Sequence, residues 1–153
     1  MIQLERKLYH TADLGLVWGI KNKNTLHTTI KRYVKKGILV TVFKGLYAIV
    51  PLDQVDPVEL GVAVAHRFAY LSCESVLERG GVIAQKIIPY TFVSDFSRHI
   101  AVAGHEYLFR KMRDDRLYNP EGVEIINGQM IATPERAGAD MKYFAPKYYF
   151  DSK

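Results

Sequence analysis

Residues 24–50, NTLHTTIKRYVKKGILVTVFKGLYAIV, decide the fold of the N-terminal third of this chain. The spacing predicts a helix from Thr25 to Lys36. Asn24 is suited to cap it, because a short polar side chain accepts from the free N–H groups of a first turn, and Gly37 is suited to stop it. Leu26, Ile30, Tyr33 and Val34 recur at i, i+4, i+7 and i+8, the spacing of a buried stripe. At about 100° per residue the opposite side carries Asn24, Thr28, Lys31, Arg32 and Lys35. One face packs and the other offers cations and hydrogen-bond donors. Past Gly37 the period changes. Ile38–Phe43 and Leu46–Val50 are rich in β-branched and aromatic residues, which fit a pleated surface. Lys44-Gly45 between them reads as the turn of a hairpin with Lys44 at its tip.

Upstream, Thr11–Ile20 reads as a short helix, with Thr11 as its cap and Asp13 at the positive end of its dipole. Gly15 and Gly19 make it weak by propensity, so packing must hold it. Lys21-Asn22-Lys23-Asn24 is a polar turn. Residues Ile2–Tyr9 are too few for the full helix that often precedes such a pair, so either the first helix is short or a partner completes the fold. Helix, turn, basic amphipathic helix and β-hairpin, in that order, form a winged helix-turn-helix.

Charge supports a polyanionic partner. The chain has a formal net charge of +5, and residues 1–50 hold nine lysines and arginines against two acids, whereas the remainder holds twelve bases and fourteen acids. Neutralising phosphates is the main source of non-specific DNA affinity, so a basic segment of this kind is what a DNA-binding module needs. On the usual docking geometry Asn22, Lys23, Thr25 and Thr28 lie near base edges, with Asn24 on the same face, while Lys31, Arg32, Lys35 and Lys44 hold phosphates. The expectation is a regulator that binds double-stranded operator DNA. The same residues also fit a plainly solvated basic face, or a winged-helix protein–protein interaction module without sequence-specific DNA binding.

At 153 residues the chain holds one ordinary domain or two small ones, and 48% hydrophobic with 24% charged residues is globular composition. No stretch approaches the ~18 apolar residues of a membrane helix, and Met1–Lys7 lacks the apolar core of a signal peptide. Cys73 is the single cysteine, which excludes an intrachain disulfide and a cysteine cluster for zinc. A cytoplasmic protein is expected.

Beyond a short connector at Pro51–Val55, Asp56-Pro57-Val58-Glu59 is a D-x-x-E capping box that predicts a helix to about His66. Phe68–Leu71 reads as a brief extended run. Ser72 then caps a helix from Cys73 to Arg79, ended by Gly80-Gly81. Lys86–Val93 reads as a strand whose Pro89 suggests an edge position. His99–Val102 and Tyr107–Met112 flank a hairpin connection, and Val123–Ile126 and Gln129–Ala132 flank Asn127-Gly128, the most favourable two-residue turn. Thr133-Pro134-Glu135-Arg136 starts a last helix, and Tyr143–Asp151 is aromatic and basic. The fold class is therefore α+β: an N-terminal winged helix-turn-helix over residues 1–50, then a small α/β domain over 51–153 with a mainly antiparallel sheet.

Catalytic motifs are absent from the sequence: no P-loop, no G-x-S-x-G, no H-E-x-x-H and no Rossmann glycine fingerprint. The histidines His10, His27, His66, His99 and His105 are never paired at i, i+4. Cys73 near a helix start, approached by His66 or His99, would be a nucleophile; the plainer reading is a small buried residue. Asp95, Glu106, Asp114 and Asp115 are candidate metal ligands only in the sense that loops and strand ends carry acids. No enzymatic activity, metal or cofactor is expected.

Four segments, in order, resemble a known family. Lys36-Gly37-Ile38-Leu39 with Lys44-Gly45-Leu46-Tyr47-Ala48-Ile49 is similar to the "rG(i/l)…GlYal" pattern of AbiEi-type antitoxins, the regulators of type IV toxin–antitoxin systems. Phe68–Leu77 resembles that family's "ayis…SAL" segment, and Ile131-Ala132-Thr133-Pro134-Glu135-Arg136-Ala137 with Asp140 resembles "vATPEKAllD". The likeness spans residues ~8 to 150. It implies a winged helix-turn-helix that represses its own operon, and an α/β domain that counteracts a nucleotidyltransferase-like toxin without a stable complex. It brings no catalytic residues. Family members often continue past an aromatic segment like Tyr148-Tyr149-Phe150-Asp151, so the expectation is either a short member with an incomplete antitoxin part or a regulator only, and Gly138-Ala139 stands where a bulkier apolar pair is usual.

Overall fold

A computed structural model describes residues 6–79 and 89–144 of the chain, which is α+β, with six α-helices and two sheets among those residues. The chain divides into two compact units, Met1–Val64 and Ala65–Lys153. The first runs past residue 50, where the charge balance changes, and takes in most of the helix that follows the connector.

In the first unit β1 (Leu8–His10) leads into α1 (Thr11–Trp18), then α2 (Lys23–Lys35), β2 (Val40–Phe43), β3 (Leu46–Ala48) and α3 (Pro57–Ala65). Ile2–Tyr9 left open a short first helix or completion of the fold by a partner; of the described residues, 8–10 form a strand that pairs antiparallel with β3, giving the sheet order β1-β3-β2. Backbone pairing to a strand brought back by the hairpin overrides so short a helical pattern.

α1 is capped differently from the sequence expectation. Its N-cap is His10, and the Asp13 carboxylate accepts from the His10 N–H at 2.9 Å. Thr11 is already helical, and its N–H donates to the Gly45 carbonyl at 3.0 Å, tying the start of α1 to the hairpin turn. Burial pushes the Asp13 carboxyl up, but the His10 amide and the Arg6 guanidinium, 2.9 Å away, outweigh it and hold the group below its ordinary value. α1 is weak by composition, as expected, and survives by packing: Leu14 joins Tyr9, Leu26, Ile30 and Leu39 in the core. The stripe expected on α2 is the buried one, since Tyr33 and Val34 also pack on this core, and Trp18 meets Tyr33 edge-on with ring centroids 4.9 Å apart. α3 begins at its predicted capping box, where Asp56 Oδ2 accepts from the N–H groups of Val58 and Glu59 at 3.1 Å.

The second unit contains β4 (Ala69–Leu71), α4 (Glu74–Arg79), β5 (Tyr90–Ser94), β6 (Arg98–Val102), β7 (His105–Lys111), α5 (Asp114–Leu117), β8 (Val123–Ile126), β9 (Gln129–Ala132) and α6 (Pro134–Phe144). Its six strands form one sheet in the order β6-β7-β5-β4-β9-β8. Across both sheets most pairings are antiparallel, but β5 with β7 and β4 with β9 run parallel. The β6–β7 hairpin folds so that β7, not β6, lies against β5, and that reversal makes the neighbours parallel.

Two strand expectations change. β5 is an interior strand between β7 and β4, because Pro89 precedes it and leaves its N–H groups free to pair. Ser72 does not cap α4: its hydroxyl turns inward, and the Cys73 carbonyl accepts from Val76 and Leu77. The expected helix end at Gly80-Gly81, the strand start at 86–88 and the aromatic stretch from 145 onward lie outside the described residues. The β8–β9 hairpin matches the expectation residue for residue, with Asn127 and Gly128 both left-handed at φ of 52° and 80°. The core is aromatic. Phe92 and Phe109 are register partners on β5 and β7 and stack at 5.5 Å, fully buried together with Tyr70, Leu71, Val93 and Tyr107.

Candidate nucleic-acid interface

The local sequence around α2 presents its polar residues to solvent. Asn22, not Asn24, is the N-cap: its side-chain oxygen accepts from the Thr25 N–H at 3.0 Å, so the helix starts two residues early and includes Lys23 and Asn24. With that oxygen engaged, the Asn22 amide keeps its N–H donors. The first turn of α2 contains no acid, so the positive end of the helix dipole is left uncompensated beside Lys21 and Lys23. Arg32 and Lys35 lie in the last turn, where they also complement the dipole. Thr29 turns inward and donates to the Thr25 carbonyl at 2.8 Å.

All nine candidate DNA-contacting residues are exposed: Asn22, Lys23, Asn24, Thr25, Thr28, Lys31, Arg32, Lys35 and Lys44. Eight of them belong to α2 and its cap, and Lys44 sits in the β2–β3 turn that Gly45 and Thr11 fasten to α1. A register shift between Thr41 and Phe43 bends β2 just before that turn. Among the described residues the ion pairs of this unit are Arg6 and His10 with Asp13, so Lys21, Lys23, Lys31, Arg32, Lys35, Lys36 and Lys44 have no acidic partner. Unneutralised cations gathered on one element give a local positive potential that attracts polyanions.

Between α2 and the hairpin lies a groove of about 220 Å³ bordered by His27, Ile30, Lys31, Val34, Thr41 and Tyr47. Of these, Lys31 was expected as a phosphate contact and Ile30 and Val34 as part of the buried stripe. His27, Thr41 and Tyr47 are visible in the sequence only as single polar or aromatic residues, and nothing but the folding of the hairpin onto α2 brings them together.

The second unit answers the catalytic candidates. Cys73 is fully buried, and burial pushes its thiol up to about 12, with Arg110 offsetting only part of that. A neutral, inaccessible thiol is a poor nucleophile. Asp95 pairs with Arg67 at 3.1 Å, Glu106 with His99 at 3.1 Å and Asp115 with Arg113 at 3.3 Å. Among the described residues no three potential ligands gather to hold a metal ion.

What the sequence reading missed is a buried polar cluster built on Asp140. The carboxylate, with no solvent exposure, accepts from Ser72 Oγ at 2.6 Å, Tyr70 Oη at 2.9 Å and Arg136 Nε at 3.2 Å. Arg136 continues outward, donating to Tyr70 Oη at 2.9 Å and to the carbonyls of Arg116, Asn119 and Glu121 at 3.0, 2.9 and 2.6 Å. Every guanidinium donor is used. Burial pushes the Tyr70 phenol far up, so it stays protonated and can donate to Asp140 while accepting from Arg136. Gly122 allows the close approach: it is left-handed at φ 81°, and a Cβ there would lie 2.8 Å from Arg136 Cβ. The signal available in sequence was Arg136 and Asp140 at i, i+4 on an amphipathic helix, with Tyr70 on a strand and Ser72 just past its end. Its connectivity is structural: it joins β4, α6, the end of α5 and the loop that follows.

Comparison with known proteins adds no assignment: no protein-family model and no curated protein matches the chain.

Proposed function

We propose that the first unit is a winged helix-turn-helix that binds double-stranded DNA, and that the protein is a transcriptional regulator. The observation that carries this reading is the set of exposed cations without acidic partners on α2 and at the hairpin tip, on a helix whose opposite face packs against the core. α2 enters the major groove by its N-terminal half, with Asn22, Lys23, Asn24, Thr25 and Thr28 toward base edges, while Lys31, Arg32, Lys35 and Lys44 hold phosphates. The β1-β3-β2 sheet holds the hairpin beside α2, as that docking requires.

The segments that resemble AbiEi-type antitoxins support a narrower role for the whole chain: repression of its own toxin–antitoxin operon and neutralisation of a nucleotidyltransferase-like toxin. The buried Asp140 cluster in the second unit fits a structural scaffold rather than a reactive site.

The test is a titration of the full chain against duplex DNA from upstream of its own gene, over a series of salt concentrations. Each phosphate contact contributes a slope of about −0.9 in log K against log salt. The triple variant Lys31→Ala, Arg32→Ala, Lys35→Ala should therefore bind more weakly with a slope shallower by about 2.7. A triple variant that binds as well as the native chain overturns the interface. Absence of any protected footprint at low salt favours the protein-interaction alternative instead.

A further inference from the structure

The groove between α2 and the β2–β3 hairpin has a two-part lining. Its floor is apolar: Ile30 is 3% exposed, and Val34 and the Tyr47 ring pack on the same core. Its rim is polar, formed by His27, Lys31 and Thr41, all exposed. No acid lines it. Among the described residues the side chains of His27, Thr41 and Tyr47 make no hydrogen bond to the rest of the chain, and Lys31 has no acidic partner. Lys31 borders both the groove and the basic face of α2, so the two are continuous. An occupant that matches this lining carries negative charge and several acceptors along one edge, and a compact apolar surface beneath them.

Duplex DNA supplies that combination along each strand, where phosphates alternate with deoxyribose rings. We infer that this groove seats one sugar–phosphate ridge of the duplex, the one dividing the groove read by α2 from the groove beside the hairpin. Deoxyribose carbons rest against Ile30, Val34 and Tyr47. Phosphate oxygens accept from Lys31 Nζ, the Thr41 hydroxyl, the Tyr47 phenol and an N–H of His27. The inference rests on the DNA-binding reading above and adds three residues to it that charge does not pick out. It also gives the ridge a shaped seat, so the protein's register on DNA is fixed by packing as well as by charge.

The test uses the full chain carrying Thr41→Val and Tyr47→Phe, two changes that keep volume and remove only hydroxyls. Affinity is measured by fluorescence anisotropy for a duplex from upstream of the protein's own gene and for an unrelated duplex of equal length. The expected result is a loss of about a hundredfold or more on both duplexes, about tenfold or more for each lost bond to a charged group. The salt slope stays native because no cation is removed. Unchanged far-UV circular dichroism and melting temperature show that the variant is folded. A neutral methylphosphonate placed at the seated phosphate should weaken the native chain more than the double variant, which keeps only the Lys31 and His27 contacts to that phosphate. Binding by the double variant within twofold of native, while the Lys31/Arg32/Lys35 variant loses affinity, overturns the seat and leaves the DNA-binding reading standing. If the native chain binds neither duplex at low salt, both fall together.

Discussion

Replacing Asp140 by alanine removes the one negative charge that faces Arg136 at the centre of the second unit. Arg136 is 7% exposed at its side chain, and its terminal nitrogens would keep the carbonyls of Arg116, Asn119 and Glu121. Hydrogen bonding of the guanidinium thus largely survives, and what is lost is its counter-charge, together with the acceptor for Ser72 and Tyr70. Breaking a buried pair by removing one partner costs about 3–5 kcal/mol, because the remaining charge stays desolvated. That is a large share of the roughly 5–15 kcal/mol by which domains are stable. With a urea m-value of about 2 kcal/mol/M, the midpoint of unfolding followed by circular dichroism should fall by about 2 M. The double variant Arg136→Met, Asp140→Leu should recover part of this: it removes the uncompensated Arg136 charge, but Arg116 loses its partner at 3.5 Å and the Ser72 and Tyr70 hydroxyls lose their acceptor. Slowed-exchange amides in β4 and α6 should lose protection in the single variant and regain part of it in the double. A midpoint shift under about 0.5 M for Asp140→Ala would show that the cluster is not a committed ion pair, and the account of the second unit's core would fail with it.

Three further outcomes are expected. Iodoacetamide at neutral pH should label Cys73 at least about a hundredfold more slowly in the folded chain than in urea, because the buried thiol sits near 12; equal rates would contradict its burial. Gly122→Ala should destabilise the protein by more than about 2 kcal/mol, combining a left-handed backbone with a clash against Arg136, whereas Gly128→Ala meets nothing within 4 Å and should cost only about 1 kcal/mol. Equal urea midpoints for the two would refute the close approach. Asp13, held below its ordinary value of 3.8, stabilises the fold above that value, and its contribution disappears as pH falls through its lower folded value. Asp13→Asn should therefore lower the melting temperature near neutral pH and match the native chain in strong acid, and a deficit independent of pH would sink the assignment.

Periodicity and turn chemistry made much of the architecture legible. The buried stripe Leu26, Ile30, Tyr33, Val34 and the exposed face of α2 follow from helical geometry alone, whatever the helix packs against. Asn127-Gly128 specifies its hairpin because both residues tolerate the left-handed backbone that such a turn demands. Asp56 and Thr133 mark helix starts, as their accepted N–H bonds show. Other features depend on distant partners. Residues 8–10 become a strand only because β3 returns beside them, and Asn22, not Asn24, caps α2 by accepting from the Thr25 N–H. β7 pairs in parallel with β5, and no local pattern distinguishes that from the antiparallel alternative.

The candidate interface shows the same division. The charge, the helix face and the hairpin tip were determined by the sequence itself, since side-chain direction on a regular element follows from its period and charge follows from composition. Tertiary structure decided which residues meet across elements. It set His27, Thr41 and Tyr47 around one groove with Lys31, and it turned Ser72, expected as a helix cap, toward Asp140 beside Tyr70 and Arg136. Contacts between residues far apart in the chain depend on how elements pack, and a local pattern carries no information about the partner that packing will supply.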